Sequence, residues 1–183
     1  MDCRKSINVP LMVKTYRLLH EQTKYPLHLG VTEAGTEYNG IIKSAIGIGS
    51  LLLDGIGDTI RVSLTAEPEK EVEAAKAILV AMGLRAGIDI ISCPTCGRCN
   101  IDIIKITKEV EERVPFLSHT MGYDNLTIAV MGCAVNGPGE AREADYGIAG
   151  GDGEGLLFAK GEIIKKVPMD KLVDELFELI NRF

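Results

Sequence analysis

The chain has 183 residues, of which 46% are hydrophobic and 25% are charged. Such a composition, without any low-complexity tract, is typical of a globular protein with a buried core rather than of a disordered chain. The formal net charge of −6 argues against nucleic acid as the main partner, because phosphate binding needs clustered Lys and Arg side chains. No apolar run is long enough to span a membrane and no signal-peptide core follows Met1, so we expect a cytoplasmic protein.

The first half of the sequence alternates between helical and strand patterns. Apolar spacing predicts a helix over 10–22, a buried strand over 26–32 and a helix through 41–52. A second unit follows, with a strand over 59–64 and a helix that opens at a proline and covers 68–82. This alternation is typical of a parallel sheet covered by helices, but two units are too few to close a barrel. We therefore expect the first half to be part of a larger α/β domain.

The pattern changes near residue 87, where we place a domain boundary. The second half combines strands and helices without strict alternation, and Lys160 and Gly161 give a hairpin signal. The predicted elements are strands over 88–92, 126–131, 156–159 and 162–166 and helices over 101–113 and 169–180. This half has the pattern of a complete α+β domain, so the predicted fold class is α/β followed by α+β.

Five cysteines are present, and three of them fall within residues 93–99, which read Cys-Pro-Thr-Cys-Gly-Arg-Cys. An odd total and this crowding make a structural disulfide framework awkward, so metal binding or redox chemistry is favoured. Thiols three residues apart on a tight loop can converge on one metal centre. The spacing therefore predicts a metal site without identifying the metal.

A second loop, 132–140, reads Gly-Cys-Ala-Val-Asn-Gly-Pro-Gly-Glu and supplies the only remaining downstream thiol, Cys133. Cys93 and Cys133 each follow a predicted strand, so both thiols are expected at strand ends. The glycines around Pro138 suggest a rigid turn whose amides approach a cluster's sulfides, and Glu140 is placed to offer an oxygen ligand to one iron. The two loops together favour a [4Fe-4S] cluster.

Zinc is the competing interpretation of the cysteines. A zinc domain usually pairs CxxC with a distant second pair of ligands, but no second CxxC exists outside residues 93–99 and His20, His28 and His119 are scattered. A zinc-stabilised structural domain would be colourless and insensitive to oxygen. An iron-sulfur protein should be brown and air-labile, so metal analysis separates the two.

The segments 93–98 and 132–140, taken together, closely resemble the family of 4-hydroxy-3-methylbut-2-enyl diphosphate synthases. These are iron-sulfur enzymes late in the methylerythritol phosphate pathway of isoprenoid biosynthesis. The resemblance continues upstream through 27–35 and 55–64, so it covers nearly the whole chain.

The resemblance carries expectations about the fold. It implies that residues 1–86 are the C-terminal portion of a TIM-type β/α barrel, which is incomplete here because most of the family's barrel strands have no counterpart. It further implies that residues 87–183 form a [4Fe-4S] domain similar to those of nitrite and sulfite reductases. Within the family, the barrel of one subunit faces the cluster domain of another in a homodimer.

Ligand roles also follow from the resemblance. It implies that Cys93, Cys96 and Cys133 bind the cluster, that Glu140 is the fourth ligand, and that Cys99 lies outside this set. A carboxylate binds iron less tenaciously than a thiolate and leaves one iron able to accept a substrate oxygen. We therefore expect Glu140 to be both a ligand and a catalytic residue.

The resemblance assigns substrate residues in the first half as well. Glu33 matches the family's acidic active-site residue, with a role in proton transfer or substrate positioning, and is expected just past a barrel strand's C-terminal end. Lys5, Arg61 and Ser63 match positions that contact the diphosphate. Arg61 and Ser63 alternate onto one strand face, which is consistent with both pointing towards a ligand.

The implied activity is that of an oxidoreductase. The family opens the ring of 2-C-methyl-D-erythritol 2,4-cyclodiphosphate and removes a hydroxyl group with two electrons from ferredoxin or flavodoxin. The alternative is a non-catalytic iron-sulfur electron-transfer or scaffold module, in which Cys99 replaces Glu140 to complete four thiolate ligands. Separate replacement of Glu140 and Cys99 discriminates the two interpretations.

Overall fold

Residues 7–99, 101–117 and 125–182 are described by the computed structural model. The chain divides into two units, Met1–Arg85 and Ala86–Phe183. Lys5, one of the expected diphosphate contacts, lies outside the described residues. In the described ranges, no helix is both long and apolar enough to cross a membrane.

The first unit alternates helices and short strands. Its elements are α1 (Val9–Gln22), β1 (His28–Leu29), α2 (Glu37–Leu53), β2 (Thr59–Ile60) and α3 (Pro68–Ala81). The strands β1 and β2 pair in parallel, with His28 opposite Thr59 and Leu29 opposite Ile60. The predicted order of helices and strands is confirmed for this unit.

Two hydrogen bonds fix helix α1, one at its first turn and one from a buried side chain. The Asn8 side chain accepts a hydrogen bond from the Leu11 amide at 2.9 Å, which satisfies one of the unpaired amides of the first turn. Tyr16 is fully buried, and its hydroxyl donates to the His28 carbonyl oxygen at 2.6 Å. This bond ties the helix to β1.

Strands β1 and β2 are shorter than the ranges 26–32 and 59–64 predicted from the sequence. After the two-residue ladder the chains separate, and they meet again only at a single bridge between Thr36 and Thr65. In between, Glu33 and Gly35 adopt positive φ angles of 53° and 111°. Left-handed backbone is incompatible with an extended strand, so regular pairing cannot continue through Glu33 and Gly35.

A single apolar core holds the first unit together. Glycine at 47 lets α1 and α2 approach closely, because a Cβ there would lie 2.9 Å from the Met12 Cε and from the Val31 Cγ2. The buried side chains come from the three helices, from β1 and from the loops: Met12, Val13, Tyr16, Leu27, Leu29, Val31, Ala34, Ile48, Leu51, Ile56, Val62, Ala74 and Ile78.

The second unit is built on one mixed sheet. Its elements are β3 (Ile88–Ser92), α4 (Ile103–Leu117), β4 (Leu126–Met131), α5 (Gly137–Glu140), β5 (Tyr146–Ala149), β6 (Glu154–Ala159), β7 (Glu162–Pro168) and α6 (Leu172–Asn181), which follows a 3-10 turn at Met169–Lys171. The five strands are ordered β3-β4-β5-β6-β7, with β3, β4 and β5 parallel and β6 and β7 antiparallel. The strands predicted over 88–92 and 126–131 are confirmed at both ends, whereas β5 was not predicted.

Alternation along β4 gives the sheet two buried faces. Ile128 and Val130 face the core formed with α4 and α6, while Ala129 and Met131 face the opposite side. Small residues on that opposite side leave room for the segment that includes α5, where Ala141 and Ala144 are buried. Both faces of β4 are therefore covered, as expected for a central parallel strand.

A candidate metal centre at the ends of two parallel strands

The two cysteine loops leave the sheet side by side. Ser92 at the end of β3 is paired with Val130 near the end of β4, and the Cys93 amide donates to the Val130 carbonyl oxygen at 3.3 Å. The Gly132 amide in turn donates to the Cys93 sulfur at 3.0 Å. Both thiols that were expected at strand ends are therefore at the same edge of the sheet, and Cys93 links the two loops directly.

A cavity of about 500 Å³, hereafter the cysteine cavity, opens between these loops. It is lined by all four expected ligands, Cys93, Cys96, Cys133 and Glu140, and also by Cys99. Cys96 and Glu140 are exposed, and the other three residues are half-buried. The structure thus brings the expected donors from both loops around one space. The remaining lining residues are Pro94, Gly97, Arg98, Gly132 and Asn136.

Gly132 is required by the close approach of two thiols. A Cβ at this buried position would lie 2.5 Å from the Cys99 sulfur and 3.4 Å from the Cys93 sulfur. The first distance is far below van der Waals contact, so any side chain at 132 would push Cys99 away. The sequence signal was a glycine immediately before Cys133, but its role depends on contacts that only the fold shows.

Glu140 is positioned by a single helical turn rather than by the turn predicted around Pro138. The Glu140 amide donates to the Asn136 carbonyl oxygen at 2.8 Å, and the Gly137 amide donates to the Cys133 carbonyl oxygen at 3.1 Å. Proline suits the first turn of a helix because its missing amide would have no partner there. The expectation that the glycine amides around Pro138 approach a cluster is therefore wrong for Gly137, whose amide is used within the turn.

Gly137 lets this turn pack closely on the sheet. A Cβ on Gly137 would lie 2.7 Å from the Met131 Cβ and 3.0 Å from the Ala149 Cβ. Both of those atoms are attached directly to strand backbone, so they cannot move aside alone. The glycine therefore sets the height at which Glu140 lies beside the cysteine cavity.

Cys99 lines the same cavity but is held differently. Its thiol donates to the Ile101 carbonyl oxygen at 3.2 Å, and its side chain packs against the apolar core of the second unit.

Cys93, Cys96, Cys99 and Cys133 are all free thiols. Within residues 7–99, 101–117 and 125–182, no group of three or more His, Cys, Asp or Glu side chains is arranged to hold a metal ion.

Arg98 and Asn136, to which the sequence motifs assign no role, also line the cysteine cavity. The Arg98 side chain is exposed and Asn136 is half-buried. Their positions, each inside one of the two loops, were the available sequence signal. A guanidinium group and an amide beside the expected ligands provide hydrogen-bond donors at the mouth of the cavity.

The expected substrate residues of the first unit lie at one end of the β1/β2 pair. Glu33 is exposed in the loop after β1 and has a φ of 53°, a conformation that is unfavourable for a residue with a side chain. Arg61 is exposed, Val62 is buried and Ser63 is half-buried, so Arg61 and Ser63 alternate with a core residue as predicted. Strand β2 ends at Ile60, which is paired with Leu29. The next residue, Arg61, still donates its amide to the Leu29 carbonyl oxygen at 2.9 Å.

Two family models match the chain, the GcpE TIM-barrel domain over residues 3–76 and the GcpE protein C-terminal domain over residues 89–182. Proteins named 4-hydroxy-3-methylbut-2-en-1-yl diphosphate synthase (flavodoxin) are similar over 97% of the chain. That of Clostridium perfringens is 61% identical over 178 residues, and that of Fusobacterium nucleatum is 58% identical over 178 residues. The chain spans 50% of the length of the first and 49% of the second.

Proposed function

Because this chain belongs to the GcpE family, we propose that it is the iron-sulfur part of a 4-hydroxy-3-methylbut-2-en-1-yl diphosphate synthase. One observation carries the proposal. Cys93, Cys96, Cys133 and Glu140 come from two separate loops and line one cavity. Residues 1–86 are proposed to be the C-terminal portion of a TIM-type barrel, and residues 87–183 to be a cluster domain of the nitrite and sulfite reductase type.

The residues around the cysteine cavity fit a [4Fe-4S] cluster. Thiolates are the usual ligands of iron in such clusters, and the loops supply three of them together with one carboxylate. Gly132 leaves the space between the sulfurs free of side-chain atoms, and its amide donates to the Cys93 sulfur at 3.0 Å. Hydrogen bonds to ligand sulfurs are one of the means by which proteins set the reduction potential of a cluster.

Glu140 is proposed as the ligand that makes the site catalytic. When bound, the cluster would pass the two electrons of the reaction, one at a time, from the external donor to the substrate, and would present one iron able to accept a substrate oxygen. A carboxylate is a weaker ligand for iron than a thiolate, so Glu140 holds that position less firmly than Cys93, Cys96 and Cys133 hold theirs. Glu140 is also exposed at the end of a single helical turn, where its side chain has room to move.

The first unit is proposed to contribute substrate contacts to a cyclic diphosphate, 2-C-methyl-D-erythritol 2,4-cyclodiphosphate. A guanidinium group binds phosphate oxygens through two parallel hydrogen bonds, which is the role proposed for the exposed Arg61. Ser63 and Lys5 are proposed as further diphosphate contacts. Glu33 is proposed to position the substrate or to transfer a proton, and its left-handed backbone is consistent with a residue constrained for a task.

The electron donor is proposed to be a flavodoxin, which is the donor given in the names of the similar proteins, with ferredoxin as the other candidate. A homodimer is proposed as the assembly, with the barrel of one subunit facing the cluster domain of its partner. In such a dimer, the cysteine cavity of one subunit would face the substrate bound by the barrel of its partner.

A second candidate, the non-catalytic module with four thiolate ligands, is favoured by one observation. Cys99 lines the same cavity as the three proposed cysteine ligands. In that case Cys99 takes the place of Glu140, and no iron is open to substrate. Separate replacement of Glu140 and Cys99 distinguishes the two candidates.

The test is to purify the chain without oxygen, measure iron and sulfide per chain, and record visible and electron paramagnetic resonance spectra. If Glu140 is a ligand, Glu140→Ala changes the spectra while Cys99→Ala leaves them unaltered. Glu143→Ala is the matched control, because Glu143 is exposed near the same turn and does not line the cavity. Spectra that respond to Cys99→Ala and ignore Glu140→Ala would favour the electron-transfer module, and zinc in place of iron would exclude both.

A further inference from the structure

Cys93 and Cys99 flank the space that Gly132 leaves empty. The position that a Cβ on Gly132 would occupy lies 2.5 Å from the Cys99 sulfur and 3.4 Å from the Cys93 sulfur. Because both sulfurs are close to this one point, they can be no further apart than the sum of those two distances. Because residue 132 is a glycine, it places no side chain between the two thiols.

Weak bonds hold each of the two thiols in place. The Cys93 sulfur accepts from the Gly132 amide at 3.0 Å, and the Cys99 thiol donates to the Ile101 carbonyl oxygen at 3.2 Å. A thiol is a weak donor, so the hydrogen bond that is lost when the Cys99 side chain rotates about χ1 contributes little free energy. The Cys99 amide donates to the Cys96 carbonyl oxygen at 3.0 Å, which turns the loop back towards Cys93.

We propose that Cys93 and Cys99 form a reversible disulfide when the chain carries no cluster. With hydrogen peroxide as oxidant, the two thiols give up two protons and two electrons as the sulfur-sulfur bond forms. The oxygen-oxygen bond of the peroxide breaks, and both oxygens leave as water. A dithiol reductant restores the two thiols by exchange and leaves as its own cyclic disulfide.

The disulfide would control loading of the site, and this consequence rests on the proposed function because it takes Cys93 as a ligand. A Cys93 sulfur bonded to Cys99 cannot bind iron, so an oxidised chain accepts a cluster only after reduction. The same bond keeps Cys93 from the sulfinic and sulfonic acids, which dithiols do not reverse. Cys99 lies outside the proposed ligand set, so it acts here as the partner that Cys93 uses while the site is empty of iron.

The sequence itself allows the pairing to be read by peptide mapping. The cluster-free chain is treated with one equivalent of hydrogen peroxide, its remaining thiols are alkylated, and it is cleaved with trypsin. Because Arg98 separates the two cysteines, a Cys93–Cys99 disulfide joins two peptides, 86–98 and 99–105, whereas a Cys93–Cys96 disulfide stays within the first. The expected result is the loss of two thiols per chain and a joined pair of peptides whose fragments place the bond at Cys93.

Two variants test the assignment independently. Cys96→Ser should still give the joined peptides. Cys99→Ser should give no joined peptides and should keep all of its thiols at the same peroxide concentration. Circular dichroism of each variant checks that it is folded. A bond that maps to Cys93 and Cys96, or one that persists in Cys99→Ser, would overturn the proposal.

Loading experiments separate this inference from the proposed function. The oxidised chain should take up iron and sulfide only after treatment with a dithiol, whereas peroxide-treated Cys99→Ser should take them up without it. If the reduced chain never loads a cluster but the Cys93–Cys99 bond maps as expected, the proposed function fails and the disulfide stands. If the reduced chain loads normally and the mapping finds no such bond, the disulfide fails and the proposed function stands.

Discussion

Single residues decide the geometry of the cysteine cavity, and Gly132 is the clearest case. It is buried, it donates its amide to the Cys93 sulfur, and it has no side chain to displace Cys99. The sequence identified the thiols and the carboxylate around the cavity because their residue types carry the chemistry. It could not identify Gly132, because a close approach between loops is a property of the folded chain.

Gly132→Ala should destabilise the cluster-free second unit by about 1 to 3 kcal/mol, since the added Cβ overpacks a filled site. The nearest atom would be the Cys99 sulfur at 2.5 Å, so the double variant with Cys99→Ala should recover part of the loss. Urea unfolding followed by circular dichroism measures both. Gly97→Ala is the matched control, because a Cβ there meets no atom within 4 Å. An equal loss in the two single variants would show that the cost belongs to the alanine and not to the contact.

Elements place the donors, and α5 does so for Glu140. A four-residue helical turn is too short to give a periodic pattern, which is why the sequence indicated only a turn around Pro138. Strands β3 and β4 were predicted correctly because their apolar runs are bounded by clear breaks. Strand β5 escaped prediction because Tyr146–Ala149 is four residues long and contains a glycine.

Gly137→Ala should lower the free energy of unfolding of the second unit by about 1 to 3 kcal/mol, because its Cβ would press against β4 and β5. The contacts concerned are the Met131 Cβ at 2.7 Å and the Ala149 Cβ at 3.0 Å. Gly139→Ala is the control within the same turn, since a Cβ there meets no atom within 4 Å. Urea midpoints report both variants, and a control as unstable as Gly137→Ala would contradict the packing argument.

Helix α2 offers a second matched pair, with opposite expected signs. Gly47→Ala should destabilise the first unit, because the Cβ would lie 2.9 Å from the Met12 Cε of α1 and 2.9 Å from the Val31 Cγ2 of the core. Gly49→Ala should stabilise it by about 0.5 to 1 kcal/mol, because alanine favours a helix interior and the nearest atom is the Met82 Sδ at 3.8 Å. Thermal unfolding of the two variants gives the signs, and a gain from Gly47→Ala would refute the close approach of α1 and α2.

At the scale of the whole molecule, each unit has an apolar core of its own. Leu51 lies in the core of the first unit and Leu176 in that of the second, and both are fully buried. The core that contains Leu176 also includes Cys93 and Cys99 among its partly buried members. The sequence predicted the change of pattern near residue 87 from its motifs, but which side chains share a core with the thiols was visible only in the fold.

Leu176→Ala should lower the temperature at which the loaded chain releases its iron, because removal of a buried leucine side chain costs about 2 to 5 kcal/mol. Leu51→Ala should cost a similar free energy in the first unit and leave iron release unchanged. The visible absorption of the cluster, recorded during heating without oxygen, measures iron release. Equal effects of the two variants would mean that the two cores melt together.

Native mass spectrometry of the anaerobically loaded chain would show whether the two loops jointly hold one cluster. We expect a mass increase of one four-iron, four-sulfide cluster per chain, absent in Cys133→Ser and retained in Cys99→Ser. An increase equal to one zinc ion, or a cluster that survives Cys133→Ser, would contradict it.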